Sequence, residues 1–137
     1  MVAQFGLVGS AFADVAAHSN EKLKEVMQRL GQAYGQVRSA VNGSEMTEAT
    51  RAKTRTMATI FQETVTLTPD VSHITRDPVQ TERLVAQFRK INSEAQAISY
   101  QLEMQVIDQD LMAAKASVDL LAQKRREGHE IFRPPNF

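Results

Sequence analysis

A stretch of forty-nine residues, Val79 to Glu127, contains neither glycine nor proline and limits the folds open to this chain. Asp77 and Pro78 precede the stretch, and Gly128 follows it. A single helix over this length would extend roughly 70 Å at 1.5 Å per residue, well beyond the width of a small domain. The rest of the chain is too short to cover such a helix fully. We therefore expect part of its apolar surface to contact another subunit.

Length and composition favour one helical domain. The chain has 137 residues, of which 42% are apolar, enough for one hydrophobic core. Its four prolines lie at or beyond the ends of the segments with helical periodicity. We predict a single all-α domain over residues 1–137. It would be an elongated helical hairpin or a three- to four-helix bundle with one very long C-terminal helix at about residues 78–127.

Charge and hydropathy exclude several classes of partner. Sixteen basic residues balance sixteen acidic ones, so we expect no nucleic-acid binding. No window is apolar over the eighteen or so residues that a transmembrane helix needs. Residues 1–17 lack the basic start of a secretory signal, although their peripheral contact with a membrane stays open. The absence of cysteine leaves the compartment undetermined.

The first segment has the apolar spacing of an amphipathic helix over about residues 2–42. Residues 18–20 interrupt its apolar stripe, so the segment is either one kinked helix or two helices. Asn42 and Gly43 then end it, because glycine tolerates the left-handed conformation that follows many helices. The stripe consists of Phe5, Val8, Phe12, Val15, Leu23, Val26, Leu30, Ala33, Val37 and Val41.

A second helix is predicted over residues 44–65, with Ser44 as its N-cap. Met57, Ile60 and Phe61 form its expected buried face. The run from Thr64 to Thr68 alternates with period two and is rich in β-branched residues, so a short extended segment there is an open alternative. Residues 66–77 form the predicted loop.

The long helix has a clear start. Asp77 is the expected N-cap, and Pro78 occupies the first helical position, where its missing N–H costs nothing. Its apolar residues follow a four-three spacing from Leu84 to Leu102, as in a coiled-coil stripe, and the spacing then slips by two positions. We interpret the slip as a change of packing partner, from the chain's own helices to a neighbouring subunit. Residues 128–137 are predicted to be a non-helical tail.

The sequence contains no recognisable catalytic or metal-binding pattern. His18, His73 and His129 are far apart in the sequence, and no two of them share the helical spacing of a metal site. Asp108 and Asp110 point in directions about 200° apart on a helix, so they cannot form a paired acid and base. Lys124, Arg125 and Arg126 are expected to interact with the negative end of the helix dipole. We predict no cofactor, no metal and no enzymatic activity.

Three segments are candidates for self-association or partner binding. Small residues flank the first segment's apolar side chains, which favours close helix packing, with ordinary core packing as the alternative. The second half of the long helix carries a further apolar face. The tail's apolar side chains flank two prolines and would fold back on the same chain or occupy a neighbour's groove, unless the tail is disordered. The candidate residues are Phe5, Val8, Phe12, Ile107, Leu111, Val118, Leu121, Phe132 and Phe137.

These features favour a non-enzymatic structural subunit of a larger complex, acting through helix–helix self-association or partner packing. Small helical proteins of this kind are typical of secretion-apparatus rods and of the internal layers of virions. The alternative is a helical binding module such as a secretion chaperone, adaptor or regulator. In either case we expect protein partners, in a homo-oligomer or a heteromeric assembly.

Overall fold

The structure, a computed structural model, describes the backbone of residues 5–132 and the side chains of residues 21–132. Phe5, Val8 and Phe12 lie in the first helix but outside the described side chains, and Phe137 lies outside the described residues. The described range holds four helices and no strand, which confirms the all-α prediction. The helices are α1 (Phe5–Asn42), α2 (Glu48–Val65), α3 (Pro78–Ile107) and α4 (Leu111–Phe132).

Helix α1 runs without interruption through residues 18–20, where the sequence left a break open. Its end is a Schellman motif, in which the N–H of Ser44 donates to Val41 O at 3.0 Å and that of Glu45 to Ala40 O at 2.8 Å. The left-handed residue is Ser44, with a φ of 61°. The prediction that Gly43 takes this conformation is therefore wrong.

Helix α2 begins later than predicted, at Glu48. Its N-cap is Thr47, whose Oγ1 accepts a hydrogen bond from the Thr50 N–H at 3.3 Å. Ser44 cannot cap it, because Ser44 belongs to the turn that closes α1. At the other end, Thr64 and Val65 are still helical and Thr66 is the C-cap, so the extended alternative does not occur.

Helix α3 starts as predicted, with Asp77 as N-cap and Pro78 in the first turn. The Asp77 carboxylate accepts a hydrogen bond from the Gln80 N–H at 2.9 Å. The helix ends at Ile107, where a second Schellman motif forms. There the N–H of Gln109 donates to Val106 O at 3.1 Å, and that of Asp110 donates to Gln105 O at 2.9 Å. Gln109 is left-handed, with a φ of 58°.

Asp110 then starts α4, because its Oδ1 accepts a hydrogen bond from the Ala113 N–H at 3.1 Å. The segment predicted as one long helix is thus helical except for the turn at residues 108–110. This turn reverses the chain and makes α3 and α4 an antiparallel hairpin. Helix α4 continues through Gly128 to Phe132, so the predicted non-helical tail does not begin at residue 128.

Three contacts fix the register of this hairpin. Ser117 Oγ donates to Gln105 Oε1 at 2.6 Å, and Lys124 Nζ lies 3.1 Å from Glu94 Oε2. Farther from the turn, the rings of Phe88 and Phe132 meet edge to face with centroids 5.4 Å apart. As the α4 residue number rises, the α3 partner number falls, as an antiparallel pair requires.

The four helices form a bundle in which each helix packs on its sequence neighbours and α4 returns to α1. The α1–α4 contact is the smallest of the four. Besides Lys124–Glu94 in the hairpin, ion pairs join Arg29 to Glu63 between α1 and α2 at 2.7 Å and Arg55 to Glu103 between α2 and α3 at 3.0 Å. The core contains Val26, Leu30, Ala33, Tyr34, Val37, Val41, Met57, Ile60, Phe61, Ala95, Leu102, Val106, Ala114, Val118 and Leu121.

The hairpin also explains the slip in the apolar spacing. The buried side of α3 continues from Leu102 to Val106, and Ile107 points away from the core. Ala114 belongs to a new helix with its own register, which begins after the turn. The second half of the segment therefore packs against the chain's own helices, and the interpretation of the slip as a contact with a neighbour is wrong.

Candidate functional site

The structure separates the predicted association residues into covered and exposed ones. Val118 and Leu121 are each 3% exposed and belong to the core, and Leu111 packs against it. Phe132 is half-buried and contacts the ring of Phe88. These four side chains are covered within the chain because the turn at Gln109 folds α4 back onto α3. They do not form a free association surface in the folded chain.

Ile107 remains available and has neighbours that the sequence analysis missed. Tyr100, Met104 and Ile107 are 52%, 64% and 50% exposed. Residues four and three positions apart share one face of a helix, so these side chains form a contiguous group on α3. Together they expose on the order of 350 Å² of mainly apolar surface, comparable with the largest apolar patch of a typical monomer.

The group extends toward the start of α3 through two small exposed residues, Ser93 and Ala97. We call the five residues Ser93, Ala97, Tyr100, Met104 and Ile107 the outer stripe. Their spacing alternates strictly between four and three residues, as in the contact stripe of a coiled coil. Helix α3 thus carries two stripes with the same spacing. One faces the core, and the other faces away from the bundle.

Opposite charges bound the outer stripe at its two ends. Arg89 and Lys90 are exposed one turn before Ser93, and Asp108 and Asp110 are exposed just after Ile107. Between these ends, the Arg55–Glu103 ion pair runs along the α2 side of the stripe. The stripe therefore has one end with small side chains and basic flanks, and another with large side chains and acidic flanks.

The sequence contained a signal for the outer stripe, although a weak one. Serine and alanine add little to an apolar pattern, and the core stripe on the same helix uses the same four-three spacing. A search for a second register on the 78–107 segment would have found Tyr100, Met104 and Ile107. It could not have shown which of the two registers faces the core.

A second exposed feature is an open cleft of about 400 Å³ between α1 and α4. It lies where these two helices make the smallest contact of the bundle. The guanidinium of Arg125 lies over the Tyr34 ring, 5.9 Å from its centroid, in a cation–π arrangement. The cleft is lined by Tyr34, Arg38, Asp119, Ala122, Arg125, Arg126 and His129.

The lining of the cleft is basic, with three arginines and one aspartate. The basic residues 124–126, which we expected to interact with the helix dipole, have two different environments in the structure. Lys124 turns toward α3, and its hydrogen bond to Glu94, with a smaller effect of Glu127, raises the pKa of the ammonium group. Arg125 and Arg126 line the cleft instead.

The described residues form no metal-binding group of three or more His, Cys, Asp or Glu side chains. Within the same part of the chain, no helix has the length and hydropathy to cross a membrane. Every buried side-chain nitrogen or oxygen described has a hydrogen-bond partner, so none is left for a bound group to satisfy. Among the described residues, the outer stripe and the basic cleft are candidate binding sites.

Comparison of the chain with protein-family models, with curated proteins and with solved structures found no match.

Proposed function

We propose that this protein is a non-enzymatic assembly subunit that works by packing an exposed helix face against another protein. The observation that carries the proposal is the outer stripe. Its three large apolar side chains lie together on one helix, at the spacing that helices use to pack on each other. Single exposed apolar residues are ordinary on a protein surface, whereas a contiguous group suggests an interface. The type of assembly, a secretion apparatus or a virion interior, stays a prediction from the sequence.

Sedimentation equilibrium over about 1–500 µM tests the proposal. The mass of the wild-type protein should rise above the 15.3 kDa of one chain as concentration increases. Met104→Glu should shift the curve toward the monomer, because association would bury a charge. Gln36→Glu is the matched control, since Gln36 is exposed on α1, away from α3 and its stripe. A wild-type mass that stays at one chain throughout, together with a cooperative melt, would overturn the proposal.

The basic cleft supports a second candidate, a binding module for an acidic protein segment. Arg38 and Arg126 lie on opposite walls of the cleft, so a carboxylate-bearing helix or strand between α1 and α4 would meet guanidinium groups on both sides. Titration with a fluorescent poly-glutamate peptide distinguishes the two candidates. Under this alternative Arg38→Ala and Arg126→Ala weaken peptide binding, while Met104→Glu leaves it unchanged.

A further inference from the structure

The outer stripe has a shape and a charge pattern that fit a second copy of itself in the reverse direction. We propose that two chains associate through α3, antiparallel and about a twofold axis that passes between residues 98 and 99. This inference rests on the proposed assembly function and specifies its interface. A twofold contact uses the same patch on both chains, so the patch must be complementary to itself.

Side-chain size supplies the first element of complementarity. In an antiparallel register centred on this axis, Ala97 faces Tyr100 of the second copy and Ser93 faces its Met104. These two layers each pair a small side chain with a large one, and Ile107 faces the aliphatic part of Lys90 of the second copy. Such pairing lets two helices approach closely without overlap. A parallel arrangement in register would instead place Tyr100 against Tyr100 and Ala97 against Ala97, which leaves alternate crowding and gaps.

Charge supplies the second element. In the same antiparallel register Lys90 lies on the same edge of the interface as Asp108 of the second copy, within about one residue of it along the helix axis. The twofold axis repeats this attraction at the other end of the interface. A parallel pair would bring Lys90 against Lys90 and Asp108 against Asp108, which is repulsive. Size and charge thus select the same orientation independently.

The area of the contact sets its expected strength. Five stripe residues and their charged flanks from each chain bury on the order of 1,000 Å² in total, near the lower limit for a specific interface. We therefore expect a dissociation constant in the micromolar range. The pairing would leave the basic cleft between α1 and α4 open, because α3 has no contact with α1 in the described bundle.

A charge exchange tests the orientation. Lys90 and Asp108 lie eighteen residues apart on one helix, about 27 Å, so within one chain they cannot interact appreciably. Lys90→Asp alone and Asp108→Lys alone should each raise the dissociation constant about tenfold at low salt. The chain with both changes should return to within about threefold of the wild type, since the exchanged charges again meet across the twofold axis.

Two controls keep the result interpretable. Circular dichroism melts establish that each variant folds. The neutral changes Lys90→Gln and Asp108→Asn, made singly and together, should give smaller effects that are again less than additive in the double variant. Ala97→Glu tests the centre of the stripe without touching the core and should raise the dissociation constant at least tenfold.

The outcomes separate this inference from the broader proposal. The wild type could associate while the variant with both charge changes loses as much affinity as the two single variants together, or while Ala97→Glu leaves the dissociation constant unchanged. Either result refutes the antiparallel α3 contact and leaves the assembly function standing. A wild type that stays monomeric overturns both.

Discussion

The left-handed turn at Gln109 offers a direct test of whether the breaker-free segment folds back on itself. We compare Gln109→Gly with Gln109→Ala. A non-glycine residue in the left-handed conformation costs roughly 1–2 kcal/mol, and glycine avoids this cost. About 0.4–1 kcal/mol of this stabilisation is lost again, because a glycine makes the unfolded chain more flexible. The folded hairpin therefore predicts that the glycine variant is more stable than the alanine variant by about 1 kcal/mol.

A continuous helix predicts the opposite sign. In a helix interior, glycine is about 1 kcal/mol less favourable than alanine. Both variants lose the Gln109 side chain, whose Nε2 donates to Met46 O at 2.7 Å and to Val106 O at 3.1 Å. Because that loss is common to the two variants, it cancels in the comparison. The difference between them reports only on the backbone conformation at residue 109.

Thermal unfolding followed by circular dichroism at 222 nm measures the difference. For a chain of this length, 1 kcal/mol corresponds to a shift of about 3–5 °C in Tm, which a melt resolves easily. The Gly/Ala pair at Gln101, an exposed position inside α3, is the internal control and should favour alanine by about 1 kcal/mol. If alanine also proves more stable than glycine at residue 109, the hairpin is refuted.

Three further predictions follow from the fold. Ser44→Gly should raise the free energy of unfolding by about 1 kcal/mol, because Ser44 is exposed and left-handed; a loss of stability in a urea titration would show that the α1 end is misassigned. Leu102→Ala should cost about 2–5 kcal/mol, while Met104→Ala on the outer face of the same helix should stay within about 0.5 kcal/mol for the monomer; equal costs would mean that the two stripes of α3 have been exchanged. The hydrogen bond from Arg29 lowers the pKa of Glu63 below its ordinary value of 4.5, so this pair stabilises the fold above pH 4.5 and its contribution is lost as the pH falls through the lowered value. Glu63→Gln should reduce the dependence of stability on pH in that acidic range, and an unchanged pH profile would contradict the assigned ion pair.

Much of the local structure could be predicted from the sequence because its causes are local. The entry to α3 is an example: an aspartate N-cap followed by proline at the first helical position specifies a helix start without any help from the rest of the chain. The core side of α3 was also predicted correctly from Phe88 to Leu102, since apolar spacing depends only on helix geometry. The start of α2 was less accurate, because Ser44 closes α1 and Thr47 caps α2 in a turn that several hydrogen bonds define together.

The site was harder to predict than the fold. The sequence assigned apolar residues of α4 to an association surface because a helix continuing straight past residue 107 would have carried them away from the core. The outer stripe was missed because two of its five residues are serine and alanine. The outer stripe is exposed because α2 and α4 pack against the other faces of α3, and the sequence does not show which faces those are.

The residues alone are enough to show that this protein is helical, where α3 begins, and which apolar side chains share a helix face. That the longest breaker-free segment folds back at Gln109 follows only from tertiary packing. No glycine or proline marks that turn, and a left-handed glutamine is locally unfavourable by roughly 1–2 kcal/mol. Folding back buries Val118 and Leu121, worth about 1.5–3 kcal/mol each, and lets Gln109 bond to the loop that joins α1 and α2. At Gln109 the local backbone preference disfavours the turn, whereas tertiary packing favours it. The turn forms because the free energy gained by packing α4 exceeds the local cost.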